Sequence, residues 1–247
     1  MAAAWSISRR RNNSIVLARR VILCLTFDSS VLMRTKKFQA DYRYTQAHCV
    51  APDADELILL DITRSGPWPA FPDLVSRYCR RLDLPSAAGG NVRSWAYAKH
   101  LLNSGADKVV VGYGGKDCYE EIAGQVGSQS LVAGIDCEAG TVRHGGERGV
   151  EQCAADAVEL GAGEILLTSI DRDGSLSGYD LPTLQQACEA SSVPVIVAGG
   201  CGSWSHMRDA FEAGAQGACT TVIHHLAPSA MRACKQYLAA HRGNWDI

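Results

Sequence analysis

Short apolar, β-branched runs recur along the chain at Val21 to Thr26, Leu57 to Asp61, Ser86 to Ala88, Lys108 to Val111, Leu131 to Asp136, Ile165 to Ser169, Val195 to Ala198 and Ala218 to Thr221. Runs of this length, each followed by loop-forming residues, predict eight strands. Amphipathic segments of helical length lie between them, among them Val92 to Ser104, Val150 to Leu160, Leu181 to Ser191 and Trp204 to Ala213. Strand and helix therefore alternate, which predicts parallel strands. Eight such units predict a closed α/β barrel. An open doubly wound sheet would show fewer strands and a glycine fingerprint at its first turn.

An internal repeat sharpens this expectation. Glu56 to Gly66, ELILLDITRSG, lies over Glu164 to Gly174, EILLTSIDRDG, with Glu, Arg and Gly in register 108 positions apart. Gly89-Gly90, Ser94-Trp95 and Gly105-Ala106 lie over Gly199-Gly200, Ser203-Trp204 and Gly214-Ala215 at offsets of 109 or 110. Two blocks at nearly one spacing indicate duplication. The predicted fold is a (βα)8 TIM barrel made of two duplicated (βα)4 half-barrels, so related loops emerge on the same rim. Residues 1–15 are expected to be a disordered N-terminal extension carrying Arg9, Arg10 and Arg11, and residues 16–247 a single barrel domain.

Composition narrows the function classes. A 247-residue chain with 47% hydrophobic and 20% charged residues suits one soluble core. A net charge of −2 supplies no basic field for a nucleic acid. No apolar run reaches membrane-spanning length and no secretory signal opens the chain. The ten cysteines form no Cys-x-x-Cys pair, which argues against a zinc site or disulfide frame and for a reducing, cytoplasmic compartment. His224-His225 and the other histidines lack ligand spacing, so neither a metal nor a cofactor is expected.

In barrels of this kind the chemistry sits where the strands end. Gly199-Gly200 ends strand seven, Thr220-Thr221 ends strand eight, and Thr168 and Asp173-Gly174 belong to the end of strand six. Bare glycine amides and hydroxyls at such a corner are what a phosphate needs. The duplicate corner has Gly90-Asn91 after strand three and Gly112-Tyr113 after strand four, where Asn91 and Tyr113 add side chains in place of bare amides. Among acid-base candidates Asp136 at the end of strand five is best placed, with Asp61, Asp171 and Asp173 also on the rim. Strand one ends in Thr26, which is no base at neutral pH. Asp28, two residues on, points to the same side of an extended strand and is the expected substitute. At the opposite rim Arg20, Glu56, Lys108 and Glu164 open four strands, and as buried charges they are expected to pair in a ring.

The segments LLTSIDRDGSLSGYDLP (Leu166 to Pro182), VPVIVAGGCGS (Val193 to Ser203) and LLDIT (Leu59 to Thr63) resemble the imidazole glycerol phosphate synthase cyclase subunit family, from about Leu17 to Leu238. The resemblance implies a barrel that takes ammonia from a glutaminase partner on its N-terminal rim. It would convert a bis-phosphorylated ribulosyl aminoimidazole carboxamide nucleotide to imidazole glycerol phosphate and an aminoimidazole carboxamide ribotide, in histidine biosynthesis. It further implies that Arg20, Glu56, Lys108 and Glu164 gate an ammonia passage, that Asp173, Gly174, Gly200 and Thr221 hold the distal phosphate, and that Asp136 is catalytic. Three features depart from the family pattern. Thr26 replaces the strand-one catalytic Asp, Arg34 the loop lysine over the substrate, and Asn91, Gly112 and Tyr113 the first-half phosphate motif. A gate kept beside altered acid-base groups also fits a cyclase-like paralogue that conducts ammonia to a sugar amidotransferase in surface-polysaccharide synthesis.

Overall fold

The computed structural model describes residues 7–9, 15–44, 53–222, 230–241, 243 and 245–246. Eight parallel strands form the barrel: β1 (Arg20–Asp28), β2 (Glu56–Asp61), β3 (Ser86–Gly89), β4 (Lys108–Gly112), β5 (Leu131–Glu138), β6 (Glu164–Ser169), β7 (Val195–Ala198) and β8 (Gly217–Thr220). Each pairs with the next, and β8 closes on β1 with Gly217 opposite Arg20 and Thr220 opposite Leu23. The first half supplies β1 to β4 and the second β5 to β8, as the repeat implies. Seven helices lie on the outside among the described residues: α1 (Phe71–Leu82), α2 (Trp95–Asn103), α3 (Tyr119–Val126), α4 (Val150–Glu159), α5 (Leu181–Ala190), α6 (Trp204–Glu212) and α7 (Ala230–Ala240).

Local chemistry sets the helix ends. Pro72 opens α1, whose first turn carries Asp73 and whose last turn carries Arg80 and Arg81, in keeping with the helix dipole. Ser94 caps α2 by accepting from the Tyr97 amide at 3.4 Å, and Asp180 caps α5 by accepting from the Thr183 amide at 3.3 Å.

Strand alternation sorts the apolar residues into two layers. Val21, Leu23, Leu25 and Phe27 of β1 face the helices in the larger core, with Leu57, Leu59, Val109 and Val111. Ile22, Cys24, Ile58, Ala87, Val110, Val132, Leu166, Ile196 and Cys219 fill the barrel interior. The interior is thus a packed apolar plug, closed at its N-terminal end by the four charged residues.

Ahead of the barrel, Ile7–Arg9 and Ile15–Leu17 form a short antiparallel pair, separate from the barrel sheet. The loop after β1 is a hairpin of two further strands, Val31–Lys36 and Gln39–Arg43. Its first strand folds back antiparallel on β1, with Thr26 opposite Met33 and Phe27 opposite Leu32. Period-two burial is weak here, because the second strand is exposed throughout, so the apolar pattern gives no strand signal. No helix among the described residues is long and apolar enough to cross a membrane. Nine cysteines are free, and Cys49 lies outside the described residues.

Candidate active site

The C-terminal mouth of the barrel opens on a cavity of about 700 Å³. Its lining includes Thr26, Arg34, Asp61, Gly90, Asn91, Asp136, Thr168, Asp173, Gly174, Gly199, Gly200, Thr220 and Thr221. Most of the rim positions proposed from sequence for catalysis or substrate binding therefore converge on one space, while Asp171 and Tyr113 lie outside it. So does Asp28, which is exposed at the hairpin turn, opposite Val31, and does not line the cavity. The sequence argument placed it further along a straight β1. It is the last residue of β1, but it stands exposed beside the Ser29-Ser30 turn and beyond the cavity.

Among the acidic residues, Asp136 is set apart by its surroundings. Both oxygens of Asp61 accept backbone amides of its own loop, from Thr63 at 3.0 Å and Trp68 at 2.8 Å. Asp171 accepts the Ala139 amide at 2.7 Å, and Asp173 accepts the Phe38 amide at 3.0 Å. Each of these three carboxylates therefore holds loop backbone. Asp136 sits at the end of β5 beside Thr168 of β6, in register. Burial pushes its carboxyl up to about 6, against the pull of the Arg143 charge and the Thr168 hydroxyl, while Asp173 adds to the rise. A carboxyl held there exchanges protons near neutral pH.

Arg143 reaches the cavity because β5 turns into a short strand, Thr141–Val142, that pairs back on Cys137 and Glu138. The Arg143 amide donates to the Asp136 carbonyl at 2.8 Å, which sets the two residues directly across from each other. Sequence reasoning missed Arg143, Arg64, Phe38 and His144, which also line the cavity. Arg64 had a signal, since it stands in register with Arg172 in the repeat, whereas the others had none.

The phosphate corner of the second half is built from backbone. Gly199 and Gly200 have φ of +87° and +105°. A side chain on Gly199 would meet the Ser169 carbonyl oxygen at 2.5 Å, and one on Gly200 would run into that of Gly178. Only glycine fits these positions. The amides of Gly174, Gly200 and Thr221 donate to no group among the described residues. The Thr221 hydroxyl already donates to the Cys24 carbonyl at 2.8 Å. Thr220 follows the inward-facing Cys219, so its hydroxyl lies on the outer side, buried without a hydrogen-bond partner and near the Cys201 thiol. The unbonded donors at this corner are thus the three amides, while the Thr221 hydroxyl is engaged with Cys24.

The first-half corner is differently filled. Asn91, at φ +57°, donates its side-chain amide to the Thr63 carbonyl at 2.9 Å. Tyr113 is buried outside the cavity and donates to Asp156 at 2.8 Å. Thr26 donates to the Met33 carbonyl at 2.6 Å, so its hydroxyl anchors the hairpin. Arg34 pairs with Asp41 across the same hairpin. The hairpin tip roofs the cavity: Phe38 is held by Asp173, its carbonyl accepts from Arg64 at 3.3 Å, and the Arg143 guanidinium lies 5.6 Å from its ring.

At the other end of the barrel the charged ring is fully formed. Arg20 pairs with Glu56 and Glu164, and Lys108 completes the square at 2.9 Å to Glu56 and 2.7 Å to Glu164. Burial opposes the Arg20 charge, but the two carboxylates outweigh it and raise its pKa. Burial likewise opposes ionisation of Glu164, and Arg20 and Lys108 hold it below the usual carboxylate range. No cluster of three or more metal-ligating side chains occurs among the described residues, and His224 and His225 lie outside them.

A closed parallel (βα)8 barrel with a titratable carboxyl and a free-amide corner at its C-terminal mouth has the architecture of the barrel enzymes. Residues 29–227 match the model of the family described as "Histidine biosynthesis protein". The chain is 35% identical to imidazole glycerol phosphate synthase subunit HisF of Exiguobacterium sibiricum, over 93% of this chain and 99% of that one. It is 40% identical to the Streptomyces coelicolor HisF subunit, over 86% and 92%, and 34% identical to that of Thermococcus onnurineus, over 91% and 96%. The chain belongs to the HisF family of histidine biosynthesis proteins.

Proposed function

We propose that this chain is the cyclase subunit of an imidazole glycerol phosphate synthase, a carbon-nitrogen lyase that uses ammonia from a glutaminase partner. The observation that carries the proposal is Asp136, a carboxyl near pKa 6 facing a cavity whose other end offers unbonded amides. One phosphate of the nucleotide substrate would rest on the amides of Gly174, Gly200 and Thr221, which leaves its reacting portion over Asp136. There the carboxylate takes a proton as ammonia adds to the ribulosyl carbonyl and returns it to the oxygen that leaves as water; ring closure then expels the aminoimidazole carboxamide ribotide as its amine. The Arg34, Arg64 and Arg143 guanidiniums on the hairpin side supply positive charge for the second phosphate.

Ammonia would enter at the ring of Arg20, Glu56, Lys108 and Glu164, where the glutaminase docks. Above the ring, Ile22, Ile58, Val110, Val132 and Leu166 line the axis that ends below Asp136. Such walls favour neutral ammonia over ammonium. The ring is closed by four ion pairs, so passage requires one cation to swing aside. Asp136→Asn should lower turnover with external ammonium by about a hundredfold or more, as for removal of a general acid-base group. Unchanged turnover would refute the assignment.

A second reading is favoured by one observation, that neither Thr26 nor Asp28 places an acid-base group opposite Asp136. On this reading the barrel activates a glutaminase and passes ammonia to a sugar amidotransferase without cyclising anything itself. Thr26→Asp separates the two. A cyclase that works through Asp136 alone is active before the change, and a conduit is not.

A further inference from the structure

A second cavity of about 630 Å³ lies outside the barrel, between the base of the β1 hairpin and α1. Arg43 from the hairpin and Arg77 and Arg81 from α1 line it, together with Tyr44, Tyr78 and Ser30. Arg43 stands opposite Met33 at the hairpin base, and the Tyr44 amide donates to the Leu32 carbonyl at 3.0 Å, which fixes that wall. The other wall is fixed by Tyr78, whose ring meets that of Phe27 edge-on at 5.5 Å. Arg77 and Arg81 are one helical turn apart, so their charges repel along one face. No carboxylate lines the cavity, and none of the three guanidinium groups makes an ion pair or hydrogen bond among the described residues. Arg81 has a structural use at the C-terminal end of α1, where it meets the helix dipole. Arg77 and Arg43 have no such use.

We propose that this cavity binds a small polyanion, a molecule bearing at least two phosphoryl charges, distinct from the ligand of the barrel mouth. Three guanidiniums from two elements present planar forks to phosphoryl oxygens. The Ser30 hydroxyl adds a donor, and the tyrosine rings give the non-ionic part of the ligand an apolar flank. A ligand that bridges Arg43 to Arg77 and Arg81 ties the hairpin to the barrel wall. The tip of that hairpin carries Phe38 over the main cavity, so occupancy here holds the roof in place.

The test is calorimetric titration of the full chain with inorganic pyrophosphate at physiological ionic strength, with Arg77→Gln/Arg81→Gln, Arg43→Gln and, as a surface control, Arg232→Gln. Limited trypsin cleavage at the exposed Lys36-Lys37 tip is followed in parallel. The expected result is a saturable binding event weakened about tenfold or more in both cavity variants and unchanged in the control. Pyrophosphate should also slow nicking of the natural chain several-fold, and lose most of that effect in the cavity variants. These exposed arginines are removable without loss of fold, which circular dichroism verifies. Equal affinity in natural and cavity-variant chains overturns the proposal. So does weak binding that Arg232→Gln reduces as much, which marks a general surface charge effect.

Discussion

Replacing Asp136 by Asn gives a stability test of the site that needs no substrate. The carboxyl is displaced from its ordinary 3.8 to about 6, chiefly by burial. That is roughly two units at about 1.4 kcal/mol each, so the ionised form costs the fold about 3 kcal/mol. An acid with a raised pKa binds its proton more tightly in the fold than in the unfolded chain. Its penalty is therefore absent below about pH 4, grows as pH rises through the window from 3.8 to about 6, and is complete above it. Asn carries no charge and escapes the penalty at every pH. The variant should exceed the natural chain in stability by about 1.5 kcal/mol at pH 5 and about 3 kcal/mol at pH 8, a gap that widens by about 1.4 kcal/mol. Water in the open cavity screens part of this, so a widening of about 0.7 kcal/mol is the least the argument accepts. Urea unfolding of both proteins at the two pH values measures it. A gap that stays constant, or narrows with rising pH, refutes the burial of an ionisable carboxyl at this position.

Three further outcomes follow from particular contacts. Glu164→Gln leaves the buried Arg20 and Lys108 sharing one carboxylate, and should cost about 3 kcal/mol in urea unfolding. Gly200→Ala forces a side chain toward the Gly178 carbonyl at φ +105°, and should cost at least about 1 kcal/mol in urea unfolding. Asp173→Ala removes the acceptor for the Phe38 amide, and should speed trypsin nicking of the hairpin tip about fivefold, the equivalent of one hydrogen bond of about 1 kcal/mol.

The barrel was legible because its signals are local and repeated. Each strand is an apolar run with its own loop behind it, and the match of Glu56–Gly66 to Glu164–Gly174 counts the units independently. The charged ring was legible for a related reason: four charges at strand starts in a closed barrel must face one another, and they do. What failed depended on backbone direction. Asp28 does end β1 two residues beyond Thr26, but the chain turns at Ser29, with φ of +55°, and that end of the strand stands exposed beyond the cavity. Thr220 was one residue from Thr221, and strand alternation puts their hydroxyls on opposite sides. Arg143 was invisible because its place opposite Asp136 arises from a two-residue strand too short to leave a pattern. The rim carboxylates Asp61, Asp171 and Asp173 show a further limit: residue type and location marked them as candidates, while hydrogen bonding assigns them to loop structure.

The proposed role of Asp136 requires turnover with Thr26 as it stands, its hydroxyl bonded to the Met33 carbonyl. The direct measurement is conversion of the bis-phosphorylated nucleotide by the purified chain in excess ammonium, without a glutaminase, alongside Thr26→Asp and Asp136→Asn. The expected result is measurable production of imidazole glycerol phosphate by the natural chain, lost in Asp136→Asn. Absence of product from a folded natural chain, with the substrate shown to be stable, would contradict it and leave the barrel as a conduit for ammonia.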